Sequence, residues 1–266
     1  MIRSVKLSIL IFVGTYSLAQ NIQLDGRAIG VGNISSVLSN NTSILANPGT
    51  TNLVNHKIFL GYSSSIHPDL RDVSAGYYAR VGKIGLTTSI TRFGNSFLNY
   101  HQMSLSASHK LGIATLGVRT NYHQLFIDGY GSKSIISFDI GGLAELGKNI
   151  KIGSFVRNIS NSGFAKEQLD YLPTSFITGV HYKSSERLTI LAELEQLLAA
   201  EHLNVKVGLE YLVHRHIEIR TGINTFPSTN NFGVGFSFRN AQLDIGLANH
   251  QFLGISQTTS LSIALQ

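Results

Sequence analysis

The chain has no cysteine, no tryptophan and only four prolines. After its first twenty residues it has no apolar run long enough to cross a membrane as a helix, which takes about 20 residues. Without cysteine there is no disulfide framework to read and no lipid-modified N-terminal cysteine. Charge is also scarce: 14% of residues are Asp, Glu, Lys or Arg, against about a quarter in an ordinary soluble domain. The mean hydropathy is nonetheless positive, at +0.12. Low charge and positive hydropathy without a membrane helix fit a β-barrel, in which only every second residue faces lipid. The net charge of +6 comes from basic residues scattered singly along the chain. No basic stripe forms, so no nucleic-acid partner is expected.

What is present begins with an export leader. Met1 to Ala19 has a basic start (Arg3, Lys6), an apolar stretch from Leu7 to Val13, and a small-x-small ending at Ser17-Leu18-Ala19. The expected domains are therefore 1–19 as signal peptide, 20–56 as an N-terminal segment, and 57–266 as a run of strands.

Fourteen strands are expected, over 57–66, 73–81, 84–93, 100–110, 113–124, 133–146, 149–159, 174–184, 187–198, 202–213, 216–226, 231–239, 241–249 and 254–265. Links after odd strands (HPDLRD, GNSFLN, LFIDGYGS, SNSGFAKEQLDYLP) are longer than links after even ones (GK, LG, SSER, HRH, RN). Long outside loops alternating with short periplasmic turns are the habit of outer-membrane barrels. An even count then places both termini in the periplasm and Ser160 to Pro173 outside. Leu191 to His202 carries a second possibility, because Glu and Leu also recur there at helical spacing.

Side-chain parity points the same way. Leu203, Val205, Val207, Leu209 and Tyr211 share one face, and Asn204, Lys206, Gly208 and Glu210 share the other. Ile217, Ile219 and Ile223 oppose Glu218, Arg220 and Asn224; Phe232, Val234, Phe236 and Phe238 oppose Gly233, Gly235, Ser237 and Arg239. A Lys or Arg facing lipid at mid-membrane costs about 2–4 kcal/mol, which keeps charges on the other face. Parity by itself also fits a soluble β-sandwich; the leader, the loop alternation and the glycine-rich polar face favour the barrel. Glu193, Glu195, Lys206, Glu210, Glu218, Arg220, Arg239 and Asp244 are then expected as a mutually neutralising network in the lumen. Tyr62, Tyr77, Phe97, Tyr100 and Tyr211 are candidates for interfacial aromatic girdles.

Catalytic signatures are missing. There is no G-x-S-x-G elbow, H-E-x-x-H helix or phosphate-binding loop. Gly30-Val31-Gly32 begins a G-x-G-x-x-G pattern, but Ser35 stands at its last position and no βαβ unit surrounds it, so a flexible loop is expected there. His214 and His216 flank Arg215 in an expected turn without further metal ligands. No enzyme activity, cofactor or metal is expected.

The one long stretch that does not read as a strand is Leu24 to His56. Eight-stranded barrels are filled by side chains and sixteen-stranded ones hold an aqueous channel, so about fourteen strands leave a lumen this segment can block. Ile34, Val37, Leu38, Ile44 and Leu45 are expected to pack inside, with Asn47, Pro48 and Gly49 turning the chain out into the first strand. GRAIGVGNISSVLSNNTSILANPGTTN resembles the start of the PorV/PorQ family of outer-membrane proteins and, more distantly, of FadL-type transporters. The carrying features are Gly26, Gly30 and Gly32, the polar stretch Asn40 to Ser43, and the turn Asn47-Pro48-Gly49. FVRNISNSG (Phe155 to Gly163) followed by LPTSFITGVHY (Leu172 to Tyr182) adds a second match. The resemblance implies a fourteen-strand outer-membrane barrel with an N-terminal hatch. It further implies an accessory or scaffold role in type IX secretion and surface attachment, with secretion proteins or cargo as partners alongside outer-membrane lipid. The FadL side of the resemblance implies instead a channel for hydrophobic or small solutes.

Overall fold

A computed structural model describes residues 25–39, 45–53, 56–64, 70–164, 172–198, 203–251 and 254–265. The expected signal peptide, Ile44, and the central part of the Ser160–Pro173 loop lie outside the described residues. Fourteen strands follow one another: β1 (Lys57–Ser64), β2 (Arg71–Val81), β3 (Ile84–Gly94), β4 (Leu98–Leu111), β5 (Ala114–Ile127), β6 (Gly131–Leu146) and β7 (Ile150–Arg157). The second half comprises β8 (Ser175–Lys183), β9 (Leu188–Leu197), β10 (Leu203–His214), β11 (Ile217–Thr225), β12 (Ser228–Phe238), β13 (Ala241–His250) and β14 (Gly254–Ala264). Each pairs antiparallel with its chain neighbours, and β1 pairs with β14 from Lys57↔Ala264 to Ser64↔Gln257, closing the barrel. Closure satisfies the backbone of every strand without water, the condition for spanning lipid.

Parity decides the two faces. Leu105, Val118, Ile140, Leu209, Ile219, Phe232 and Leu247 all point outward and are exposed. A belt of this kind around a whole molecule is too large to be tolerated in water and matches the apolar band of a membrane barrel.

Several expected boundaries shift, for one physical reason: hairpins extend as far as their ladders keep pairing. Leu98 and Asn99, Leu125 to Ile127, Gly131 and Ser132, and Ser228 to Asn230 were expected as links but are paired strand residues. The loop-length contrast is therefore smaller than the sequence implies. Leu191 to Leu197 is strand, not helix: Glu193 and Glu195 turn inward opposite Lys206 and Asn204, while Ala192 and Leu194 face out. Tyr62, Tyr77, Phe97 and Tyr211 are exposed. Tyr100 does not join them. It points into the lumen, 5% exposed, with its hydroxyl 2.6 Å from His123 Nδ1.

Candidate functional site: the hatch and the lumen wall

The N-terminal segment lies inside the barrel in two described stretches. The first, residues 25–39, opens with α1 (Gly26–Gly30), a single short helix. Its N-cap is Asp25, whose carboxylate accepts from the Ala28 N–H at 2.7 Å, a standard way to satisfy an orphan helix donor. Gly32 (φ 88) and Asn33 (φ 61) end it, so Gly30-Val31-Gly32 is a helix exit packed against the wall and not a flexible loop. The second stretch, residues 45–53, contains a 3₁₀ turn over Pro48–Leu53. Asn47, Pro48 and Gly49 thus start this turn deep in the lumen, before the chain leaves for β1. Ile34, Val37, Leu38 and Leu45 are buried, in one apolar cluster with the wall residues Phe59, Tyr78, Leu143 and Leu191.

Glycines on the wall let this backbone approach. Gly208 faces Gly222 across β10 and β11, and Gly233 faces Gly246 across β12 and β13. Gly153 faces Gly179 across β7 and β8, and Gly117 faces Gly141 across β5 and β6. The hatch passes over all four pairs. A Cβ at Gly222 would sit 2.2 Å from the Val31 carbonyl carbon, one at Gly153 2.1 Å from the Ser36 oxygen, and one at Gly117 2.3 Å from the Pro48 oxygen. Glycine at these places admits a second backbone where any side chain would exclude it.

Charge fixes the first stretch. Arg27 grips Glu210 with two hydrogen bonds of 2.7 Å, from Nε and Nη2. Burial works against the Arg27 charge, but Glu210, by its charge and its hydrogen bonds, holds the guanidinium pKa above its ordinary value. Glu210 lies opposite Arg220, and Arg220 spreads to Glu210 (3.0 Å), Glu218 (2.5 Å) and Asp244 (2.7 Å). Gly235 forms the bed of this fan, since a Cβ there would meet Arg220 Nη2 at 2.6 Å and Asp244 Oδ1 at 2.8 Å.

A second node centres on Glu193, 1% exposed. Its carboxylate accepts from the Ser35 and Ser36 N–H groups at 2.7 and 2.6 Å and from the Ser36 hydroxyl at 2.7 Å. Lys206 donates to Glu193 at 2.8 Å, to the Asn33 carbonyl at 3.1 Å, and lies 2.9 Å from Glu195. A carboxylate with this many donors is fixed in one orientation and ties the hatch to the wall.

The second stretch is anchored by neutral groups. Asn47 Nδ2 donates to the Ser36 carbonyl at 2.7 Å and the Gly142 carbonyl at 3.0 Å, while its Oδ1 accepts from the Gly49 N–H at 2.8 Å. One amide thereby ties both hatch stretches to β6. The Thr51 hydroxyl bonds Ser108 Oγ. Beside Leu45, the void among Gln102, Asn121, His123 and Asp139 is about 10 Å³, room for no more than one water.

Of the eight residues expected in the lumen network, Glu193, Glu195, Lys206, Glu210, Glu218, Arg220 and Asp244 come together. Arg239 does not. It takes φ 46 in the turn after β12, exposed, with its guanidinium 5.7 Å from the Phe238 ring. The strand ends one residue before it, so its parity no longer carries it inward. Sequence reasoning missed Arg27, Arg157 (3.9 Å from Glu195) and the Ser35–Ser36 donors. It also missed the glycine pairs, whose signal is glycine at inward parity on consecutive strands.

No family model matches the chain, and no curated protein matches it. Among solved structures it resembles a monoaromatic hydrocarbon channel, the TodX deltaS2S3 mutant, with TM-score 0.73 and 11% identity over 91% of this chain and 99% of that one. The CymD monoaromatic hydrocarbon channel follows at TM-score 0.70 and 10% identity, over 91% and 98%. A FadL homologue from Pseudomonas aeruginosa gives TM-score 0.64 and 11% identity, over 91% and 98%. At such identities the likeness is one of architecture, and the chain has the closed fourteen-strand fold of FadL-type barrels.

Proposed function

We propose that the protein is an outer-membrane passage for small hydrophobic solutes, closed in this state by its own N-terminal segment. The observation that carries the reading is the apolar cluster shared by hatch and wall: Ile34, Val37, Leu38 and Leu45 against Phe59, Tyr78, Leu143 and Leu191. Movement of the hatch uncovers an apolar strip of lumen wall along which such a solute gains burial. The likeness to monoaromatic hydrocarbon channels supports this solute class. Both termini are periplasmic in this reading, and the hatch enters from the periplasmic mouth.

The chain has no cysteine, so a hatch lock can be engineered cleanly. The Thr51 side chain of the hatch already touches the Ser108 side chain of β4, which suits a Thr51→Cys/Ser108→Cys disulfide. In cells expressing this variant, toluene entry should fall to the background rate when the bridge is oxidised and recover on reduction. Entry unaffected by the bridge would refute a mobile hatch.

A secretion accessory of the PorV/PorQ type is the second reading. The filled lumen favours it, because a scaffold needs no pore. Capture of secretion components or cargo from membranes in mild detergent, with toluene entry independent of the lock, would favour it over the first.

A further inference from the structure

Among the described strand residues, every Lys, Arg, Asp and Glu takes the inward parity except Arg71 and Arg92. The two exceptions are neighbours. Arg92 lies directly opposite Val73, and Arg71 directly opposite Gly94, which makes the arginines diagonal partners across β2 and β3. Both are exposed, at the end of the barrel away from the N-terminal mouth. Below them the same face is apolar, with Val73, Tyr77 and Ile90 exposed.

A groove of about 680 Å³ adjoins the pair, lined by Arg71, Val73, Arg92, Asn95 and Phe97 among others. The β3–β4 hairpin shapes its rim: Asn95 Oδ1 accepts from the Phe97 and Leu98 N–H groups at 2.9 and 3.0 Å. That turn presents Phe97 outward, 67% exposed. Arg92 Nε donates to Asn99 Oδ1 at 3.1 Å, which steadies the guanidinium on the sheet.

Cationic side chains are excluded from the lipid-facing surface at mid-depth and tolerated near its edge. Two guanidinium groups above an apolar surface, with an aromatic ring at the rim, match a lipid whose headgroup is anionic and whose chains continue along the barrel. Arginine forks suit phosphate oxygens, which accept two parallel hydrogen bonds from one guanidinium. We propose that Arg71, Arg92 and the Phe97 hairpin form a binding site for a phosphate-bearing lipid of the surrounding membrane leaflet. The site rests on the barrel being embedded in lipid and is independent of what passes through its lumen.

The test uses the full-length barrel in detergent micelles, titrated with lipid A and read by native mass spectrometry. The wild type should bind one lipid A, and Arg71→Gln/Arg92→Gln should bind it at least tenfold more weakly. Arg71→Lys/Arg92→Lys should fall between the two, because the charge remains but the fork is lost. Heat-modifiable gel mobility establishes that each variant is a folded barrel. Affinities of wild type and the Gln variant within twofold of each other would overturn the proposal. Inorganic phosphate binding as tightly as lipid A would overturn the lipid as the ligand. Failure of either kind leaves the toluene experiment untouched.

Discussion

The first hatch stretch meets β9–β13 largely through charged side chains: Arg27 on Glu210, and the Ser35 and Ser36 N–H groups on Glu193 beside Lys206. The second meets β3–β6 through the Asn47 amide, a Thr51 hydroxyl and the Pro48 carbonyl lying over Gly117. Both are buried in the same lumen, yet they respond to different perturbations. The charged arm depends on complete pairing, since a buried ion that loses its partner is costly. The neutral arm depends on fit, since its contacts are backbone against glycine and leave no slack. A hatch that moves in two steps would release the neutral arm first, because fewer buried charges need replacing there.

That contrast can be broken by substitution. The largest effect is expected from Arg220→Met, which takes the guanidinium from Asp244 and Glu218 and leaves Glu210 with Arg27 alone. Breaking such a buried network costs about 3–5 kcal/mol, measurable by urea unfolding in micelles. An effect below about 1 kcal/mol would reduce the network to surface-like pairing.

Next comes overpacking of the neutral arm. Gly117→Val drives a side chain into Pro48, and a misfit of this kind costs about 1–3 kcal/mol. Here the hatch has a way out, so bilayer conductance should rise while the barrel stays folded. Unchanged conductance would mean that the wall yields and the arm does not.

An effect of similar size is expected from Asn47→Ala, which removes one amide shared by both stretches. Leaving the Ser36 and Gly142 carbonyls without it costs about 1–3 kcal/mol. Limited proteolysis should then cut the hatch faster than in wild type. A protection pattern identical to wild type would remove Asn47 from its linking role.

Much of the barrel was legible because lipid imposes a local rule. Each outward position must be apolar, so alternation along single strands revealed the faces, the strand number and seven of the network residues. The rule failed where the backbone stopped obeying it. Arg239 lies one residue past the end of β12, where φ turns positive and inward parity no longer holds. Leu191 to Leu197 fits both helical and alternating periods; what decides is that β8 and β10 each need a partner between them. Lys206 was readable as an inward lysine of a neutralising network, whereas its particular partners, Glu193 and Glu195, follow from the β9–β10 register.

The sequence by itself determined the alternation, the turns between strands and the existence of a segment that cannot be a strand, because each is set by neighbours a few residues apart. Only the tertiary structure decided what that segment touches. Arg27 and Glu210 are 183 residues apart, and Ser35 and Glu193 are 158 apart. Such contacts depend on barrel closure and on strand register, which bring glycines from neighbouring strands opposite one another. Inward glycines on consecutive strands mark where a second backbone can approach, but no local pattern records which backbone it is, because the approach joins distant parts of the chain.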